Sequence, residues 1–150
     1  MSNWPRRFDV VVDASVAVQW YLPEAQSEQA EVLLDESYRK HVPELLYLEV
    51  ASVLWKRCHQ RGEISAEEVA EIRGRLDELP LVGYASSRGL LDEAVKLALK
   101  TGRTVYDCVY LAMADLLDCP LVTADRKLVN AMVGSPTGIV VQWIGDGPPE

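Results

Sequence analysis

The chain has 150 residues, 49% of them apolar and 25% charged, and carries a formal net charge of −8 from 23 acids against 15 bases. That length fits one domain with a sizeable core, and the composition shows neither a low-complexity tract nor a repeat. The acidic balance excludes a protein that holds nucleic acid by a broad basic face, so any such activity needs a local means of attracting phosphate.

Two arginines open the stretch "PRRFDVVVDASVAVQWYL" in the manner of a secretion leader, but Asp9 and Asp13 interrupt its apolar run. No stretch approaches the roughly 18 uninterrupted apolar residues of a membrane span. A cytoplasmic protein without a membrane segment is expected. "FDVVVDAS" is a β-branched run closed by a polar turn, which predicts a buried, central parallel strand over residues 8–13. "SVAVQWYL" follows as a short helix, and "SEQAEVLLDESYR" as a longer amphipathic one with Ser27 at its N-cap. His41 and Val42 leave room only for a very short strand, after which Pro43 suits the first turn of the helix "PELLYLEVASVLWKRCHQR", ended by Gly62.

Ser65 and Glu68 form a capping box for "SAEEVAEIRGRLDEL". A strand, "LPLVGYA", precedes the helix "LLDEAVKLALK", which Gly102 closes. Thr104 then opens a nearly all-apolar helix running to Leu117. "CPLVTAD" reads as a second buried strand, "RKLVNAMV" as a short helix, and "GIVVQWI" as a last strand before the tail "GDGPPE". Strands alternating with helices predict a single α/β domain, a three-layer α/β/α sandwich around a mainly parallel sheet of four to five strands. Its core spans about 9–144, with a short N-terminal extension and a Gly/Pro tail.

Cys58, Cys108 and Cys119 are odd in number and lack C-x-x-C spacing, which indicates neither a disulfide framework nor a zinc site. Four acids stand in telling places. Asp107 lies three residues after Thr104, so it suits a capping box and the helix dipole, yet it begins a helix that is buried on most sides. Glu49 shares its helix face with Leu45, Leu46 and Val53; a carboxylate there needs a base, a proton or a metal. Asp13 and Asp125 each follow an apolar strand and precede a helix, where they either cap that helix or face the crevice beyond the strand ends. Ser15 and Thr123 lie two positions from these acids.

The set is more informative than its members. If the helices bearing Glu49 and Asp107 flank the two strands, four carboxylates meet at one rim of the sheet and repel one another unless a cation compensates. Hard oxygen donors of this kind suit Mg²⁺ or Mn²⁺, and such a site serves metal-assisted phosphodiester hydrolysis. These acids account for half of the net charge of −8, so bound divalent ions would leave a locally neutral or positive site. His41 and His59 are the only histidines and neither stands beside an acid motif, so acid–base catalysis through histidine is not indicated.

The succession "VVDAS", "PELLYLEVASVL", "TVYDCVYLAMA", "LVTADRKL" resembles the PIN-domain family of ribonucleases and, within it, the VapC toxins of bacterial toxin–antitoxin pairs. The resemblance covers residues 9 to 144. It implies an Mg²⁺- or Mn²⁺-dependent endoribonuclease, restrained by a small VapB-like antitoxin, with Asp13, Glu49, Asp107 and Asp125 as catalytic metal-binding acids. It implies supporting roles for Ser15 and Thr123. Arg6, Arg7 and the residues after Ile144 match no motif. Arg103, Arg126 and Lys127 flank two motifs and are candidates for RNA contact, while Lys56, Arg57 and Arg61 are candidates for a partner interface; a solvated helix surface is the plain alternative for all six. Apolar residues such as Trp20, Tyr21, Leu45, Tyr47 and Trp55 either pack in the core or serve a homodimer and an antitoxin. Two other functions fit the acids: a phosphohydrolase with Asp13 as nucleophile, though such enzymes usually carry an aspartate where this chain has Ser15, and a catalytically silent partner-binding module.

Overall fold

The computed structural model describes residues 7–84 and 87–150. The N-terminal extension through Arg6, and Ala85 at the end of the expected strand "LPLVGYA", lie outside the described residues. Five strands, β1 (Phe8–Val12), β2 (Tyr38–Pro43), β3 (Val82–Tyr84), β4 (Leu121–Thr123) and β5 (Val141–Trp143), form one sheet in the order β3-β2-β1-β4-β5, and every neighbouring pair is parallel. Helices α1 (Ala14–Ala17) and α2 (Ser27–Val32) connect β1 to β2, and α3 (Leu45–Trp55) and α4 (Ala66–Glu78) connect β2 to β3. Helices α5 (Leu91–Thr101) and α6 (Val105–Leu117) lead to β4, and α7 (Arg126–Met132) leads to β5. Successive strand residues point to opposite faces, yet Val10, Val11 and Val12 are all fully buried, so both faces of the sheet are covered. The expected three-layer α/β/α architecture follows. Among the described residues no helix is long and apolar enough to cross a membrane.

The strand order positions the site. From β1 the chain steps to β2 and β3 on one side, then returns to lay β4 and β5 on the other. The switch falls between β1 and β4, where an open parallel sheet leaves a crevice beyond its strand ends. Val12 pairs with Val122, and the Asp13 N–H donates to the Val122 carbonyl at 3.1 Å, so Asp13 and Thr123 emerge side by side.

Several local expectations hold. Ser65 and Glu68 form the full capping box of α4, Gly102 ends α5 with φ 73°, and Thr104 caps α6. Three others need correction. Helix α2 stops at Val32 because Asp35 turns the chain, its carboxylate accepting the Ser37 N–H at 2.8 Å; the Ser27 hydroxyl accepts from the preceding Glu24 N–H instead of capping the helix. Strand β2 is six residues long rather than very short, since Lys40 is only 2% exposed and its ammonium donates to the Tyr38 carbonyl at 3.1 Å. A buried lysine stem substitutes there for an apolar residue. Pro43 ends β2, opposite Tyr84, rather than beginning α3; a strand end needs no N–H from it. Helix α3 also widens into a π-helical turn over Lys56–Gln60.

Candidate active site

Asp13, Glu49, Asp107 and Asp125 line one open cavity of about 320 Å³, together with Ser15, Ser52 and Lys56. The expected convergence of the four acids therefore occurs at the switch of the sheet. A shallower hollow lined by Gln19, Glu24 and Gln26 shares Ser15, Val53 and Asp125 with it and lengthens the cleft.

Asp13 follows β1 at the N-cap position of α1, where its side chain makes no capping hydrogen bond. Its carboxylate is 8% exposed, and Oδ2 accepts from the Ser15 hydroxyl at 2.8 Å and the Thr123 hydroxyl at 2.7 Å. Both hydroxyls are placed by backbone groups of the strand-to-helix turn after β4: Ser15 Oγ accepts the Ala124 N–H at 2.9 Å, and Thr123 Oγ1 accepts the Asp125 N–H at 3.0 Å. Burial raises the Asp13 pKa above the ordinary range; the two hydroxyl bonds oppose the rise and the Asp107 charge adds to it. Glu49 projects from α3 and has no ion-pair partner among the described residues. Its Oε1 accepts a hydrogen bond of 2.7 Å from the Tyr110 hydroxyl. Burial pushes the Glu49 pKa up, the Tyr110 bond opposes this, and Asp13 and Asp107 reinforce it.

Asp107 and Asp125 are held differently. Thr104 Oγ1 accepts the Asp107 N–H at 3.2 Å, while the Asp107 carboxylate turns to Arg103, whose Nη2 donates to Oδ2 at 2.8 Å. The same Nη2 reaches Asp125 Oδ2 at 3.4 Å. Asp125 also caps α7, its Oδ1 accepting from the Lys127 N–H at 2.9 Å and the Leu128 N–H at 3.3 Å. Capping and cavity lining thus coexist in one side chain, an oxygen to each.

The basic candidates are unequal. Arg103 is part-buried and paired to two of the cavity's acids; Arg126 lies over the Trp143 ring at 3.8 Å; and Lys127 is exposed. Arg57 pairs with Glu24 and Glu63, and Arg61 with Glu63. Lys56, one residue beyond α3, is exposed, lines the cavity and forms no ion pair among the described residues. Cys58, Cys108 and Cys119 are free thiols; burial pushes Cys119 up to about 11. Trp20 is buried and donates to the Ala30 carbonyl, whereas Trp55 is 50% and Leu48 69% exposed on α3.

Sequence reasoning missed two participants. Tyr110 is 1% exposed, and burial raises its phenol far above the ordinary value, so it remains a proton donor to Glu49. Its signal was present: a phenol on an otherwise apolar helix, three residues after Asp107, must find a polar partner. The Arg103 bridge was missed in its direction, since an arginine four residues before an acid on a helix boundary can turn inward as readily as outward.

The donor set fits a hard divalent cation, because it consists of carboxylate and hydroxyl oxygens and leaves Asp13 and Glu49 without a countercharge. Among the described residues, no three His, Cys, Asp or Glu side chains lie close enough together to share one ion.

The family description "PIN domain" matches residues 10–132. The chain is 39% identical over 125 residues to Ribonuclease VapC3 of Pyrobaculum aerophilum, covering 81% of this chain and 92% of that relative. Its structure is similar to that of PAE2754 from Pyrobaculum aerophilum, with a TM-score of 0.67 and 20% identity over 93% of this chain and 85% of that one. A toxin–antitoxin complex from Klebsiella pneumoniae includes a chain of the same fold, with a TM-score of 0.61 and 16% identity, covering 89% of this chain and 95% of that one.

Proposed function

The chain belongs to the PIN-domain family, and from that premise we propose that it is a divalent-metal-dependent endoribonuclease, the toxin component of a type II VapBC-like toxin–antitoxin system. The observation that carries this reading is the meeting of Asp13, Glu49, Asp107 and Asp125 in one cavity at the switch of the sheet. The similarity to a VapC ribonuclease over most of both chains supports the substrate class.

Asp13, Glu49, Asp107 and Asp125 would form the pocket that takes Mg²⁺ or Mn²⁺, with Ser15 and Thr123 fixing Asp13 and Tyr110 fixing Glu49. When bound, the ion supplies an activated water and positive charge against the scissile phosphate. The remaining work belongs to the protein. Tyr110 keeps its proton and directs one Glu49 oxygen, leaving the other free to face the cavity. Asp125 uses one oxygen to anchor the start of α7, so the site is tied to that helix. Lys56 stands at the rim, where a substrate phosphate would meet a free ammonium. An aspartyl-nucleophile reaction finds less support, because Asp13 is deeply buried and its Oδ2 already accepts two hydrogen bonds.

The partners proposed are a VapB-like antitoxin and a second copy of the chain in a homodimer, supported by the exposure of Leu48 and Trp55 along α3. Light scattering after size-exclusion chromatography tests the dimer; a monomer at micromolar concentration rules it out. The activity is tested on mixed RNA with Mg²⁺ or Mn²⁺, with and without EDTA, using wild type and Asp107→Asn. Cleavage requires the ion and Asp107; activity that survives both EDTA and the substitution sinks the reading.

A further inference from the structure

The four acids do not share one environment. Asp107 and Asp125 come from different elements, yet a single guanidinium nitrogen reaches both, at 2.8 and 3.4 Å. Arg103 is held for this purpose by a short joint between α5 and α6. Gly102 precedes it in the left-handed conformation, the Arg103 N–H donates to Thr101 Oγ1 at 3.2 Å, and that hydroxyl donates to the Leu97 carbonyl at 2.7 Å. The guanidinium is drawn inward far enough that its Nε is buried without a partner. A nitrogen left unpaired away from water costs free energy, which the two ion pairs of the same guanidinium offset.

An arginine cannot discharge itself in a protein, so this positive charge is permanent. Asp13 and Glu49, by contrast, receive only hydroxyl hydrogen bonds, which satisfy lone pairs but cancel no charge. In one half of the pocket a single positive charge is set against two carboxylates; in the other none is.

We infer that Arg103 is the built-in cation of the Asp107–Asp125 half, and that the pocket therefore takes one divalent ion, seated on the Asp13–Glu49 half, rather than two. This rests on the metal-dependent reading above. A second divalent ion at Asp107 and Asp125 would have to displace a tethered guanidinium of like sign, whereas the first meets uncompensated carboxylates. Arg103 thereby does from within the chain what a second ion does in two-metal nucleases.

The test is a Mn²⁺ titration followed by electron paramagnetic resonance and calorimetry, which count ions without reference to catalysis. Wild type binds one Mn²⁺ per chain, Arg103→Gln binds two, and Arg103→Lys, which keeps the charge, binds one. Asp125→Asn still binds its single ion, while Glu49→Gln weakens that ion by about tenfold or more. Thermal melts confirm that each variant is folded, and the Asp125 and Glu49 pair decides the matter should Arg103→Gln fail to fold. Two ions on wild type, one on folded Arg103→Gln, or equal losses from Asp125→Asn and Glu49→Gln overturns the inference while leaving metal dependence intact. No Mn²⁺ on any form, together with EDTA-resistant cleavage, overturns the metal reading itself.

Discussion

Asp13 and Glu49 are oriented by the neutral hydroxyls of Ser15, Thr123 and Tyr110, whereas Asp107 and Asp125 share the guanidinium of Arg103. A hydroxyl fixes where a carboxylate points but leaves its charge in place; a guanidinium does both. The first half therefore keeps its full negative charge, and the second sets one positive charge against two carboxylates. Burial also pushes the pKa values of Asp13 and Glu49 up. Four carboxylates in one cavity are thus not four equivalent ligands.

The division is broken most severely at Asp13. Asp13→Asn is expected to lower RNA cleavage by about a thousandfold, read as kcat under saturating Mn²⁺. Because the Asp13 pKa is raised in the folded chain, the native state binds more protons than the unfolded one between the ordinary carboxylate range and the raised value. Stability without an ion is then lost as pH rises through that window. Asp13→Asn removes this loss, so in EDTA at pH 8 its Tm should exceed that of wild type by about 2 to 4 °C, with a smaller gain at pH 5. A Tm several degrees lower than wild type at pH 8 would contradict this account.

Tyr110→Phe sharpens the same half by removing one hydrogen bond and little volume. The expected loss is about 10- to 100-fold in Mn²⁺ affinity, with the circular dichroism spectrum unchanged. Glu49 loses the interaction that opposes its rise, so the acid limb of the pH–rate profile moves to higher pH. An unmoved limb with unchanged affinity would mean that the phenol merely fills space.

In the other half, Thr104→Ala removes the cap of α6 without touching a carboxylate. A stability loss of about 1 kcal/mol, seen as a Tm lower by about 2 to 4 °C, is expected. Cleavage measured well below that Tm should change little. The smallest effect belongs to the rim. Lys56→Gln should raise KM several-fold at constant kcat and flatten the salt dependence of RNA binding by about 0.7 in log–log slope, the share of one phosphate contact on single strands. An unchanged slope would exclude Lys56 from the substrate path.

Much of this architecture was legible in the chain because its causes are local. β-branched runs marked β1 and β4, the Ser65–Glu68 box and Gly102 marked helix ends, and each acid announced itself by standing at a strand end or on an apolar face. Local signals also misled where tertiary contacts overrode them, as in β2, where the buried stem of Lys40 made a strand of a polar-looking segment. The bridge from Thr123 to Asp13 spans 110 residues, and the bond from Tyr110 to Glu49 spans 61. Neither pairing is written in any window of sequence.

By itself the sequence determined which carboxylates need compensation, because a buried or strand-end carboxylate demands it wherever the chain takes it. Only the tertiary structure decided how each demand is met. The order of strands brings Asp13 beside Thr123, and the α5–α6 joint aims Arg103 inward rather than at solvent. Those choices rest on packing between distant elements, and they separate acids held by hydroxyls alone from acids that share a guanidinium.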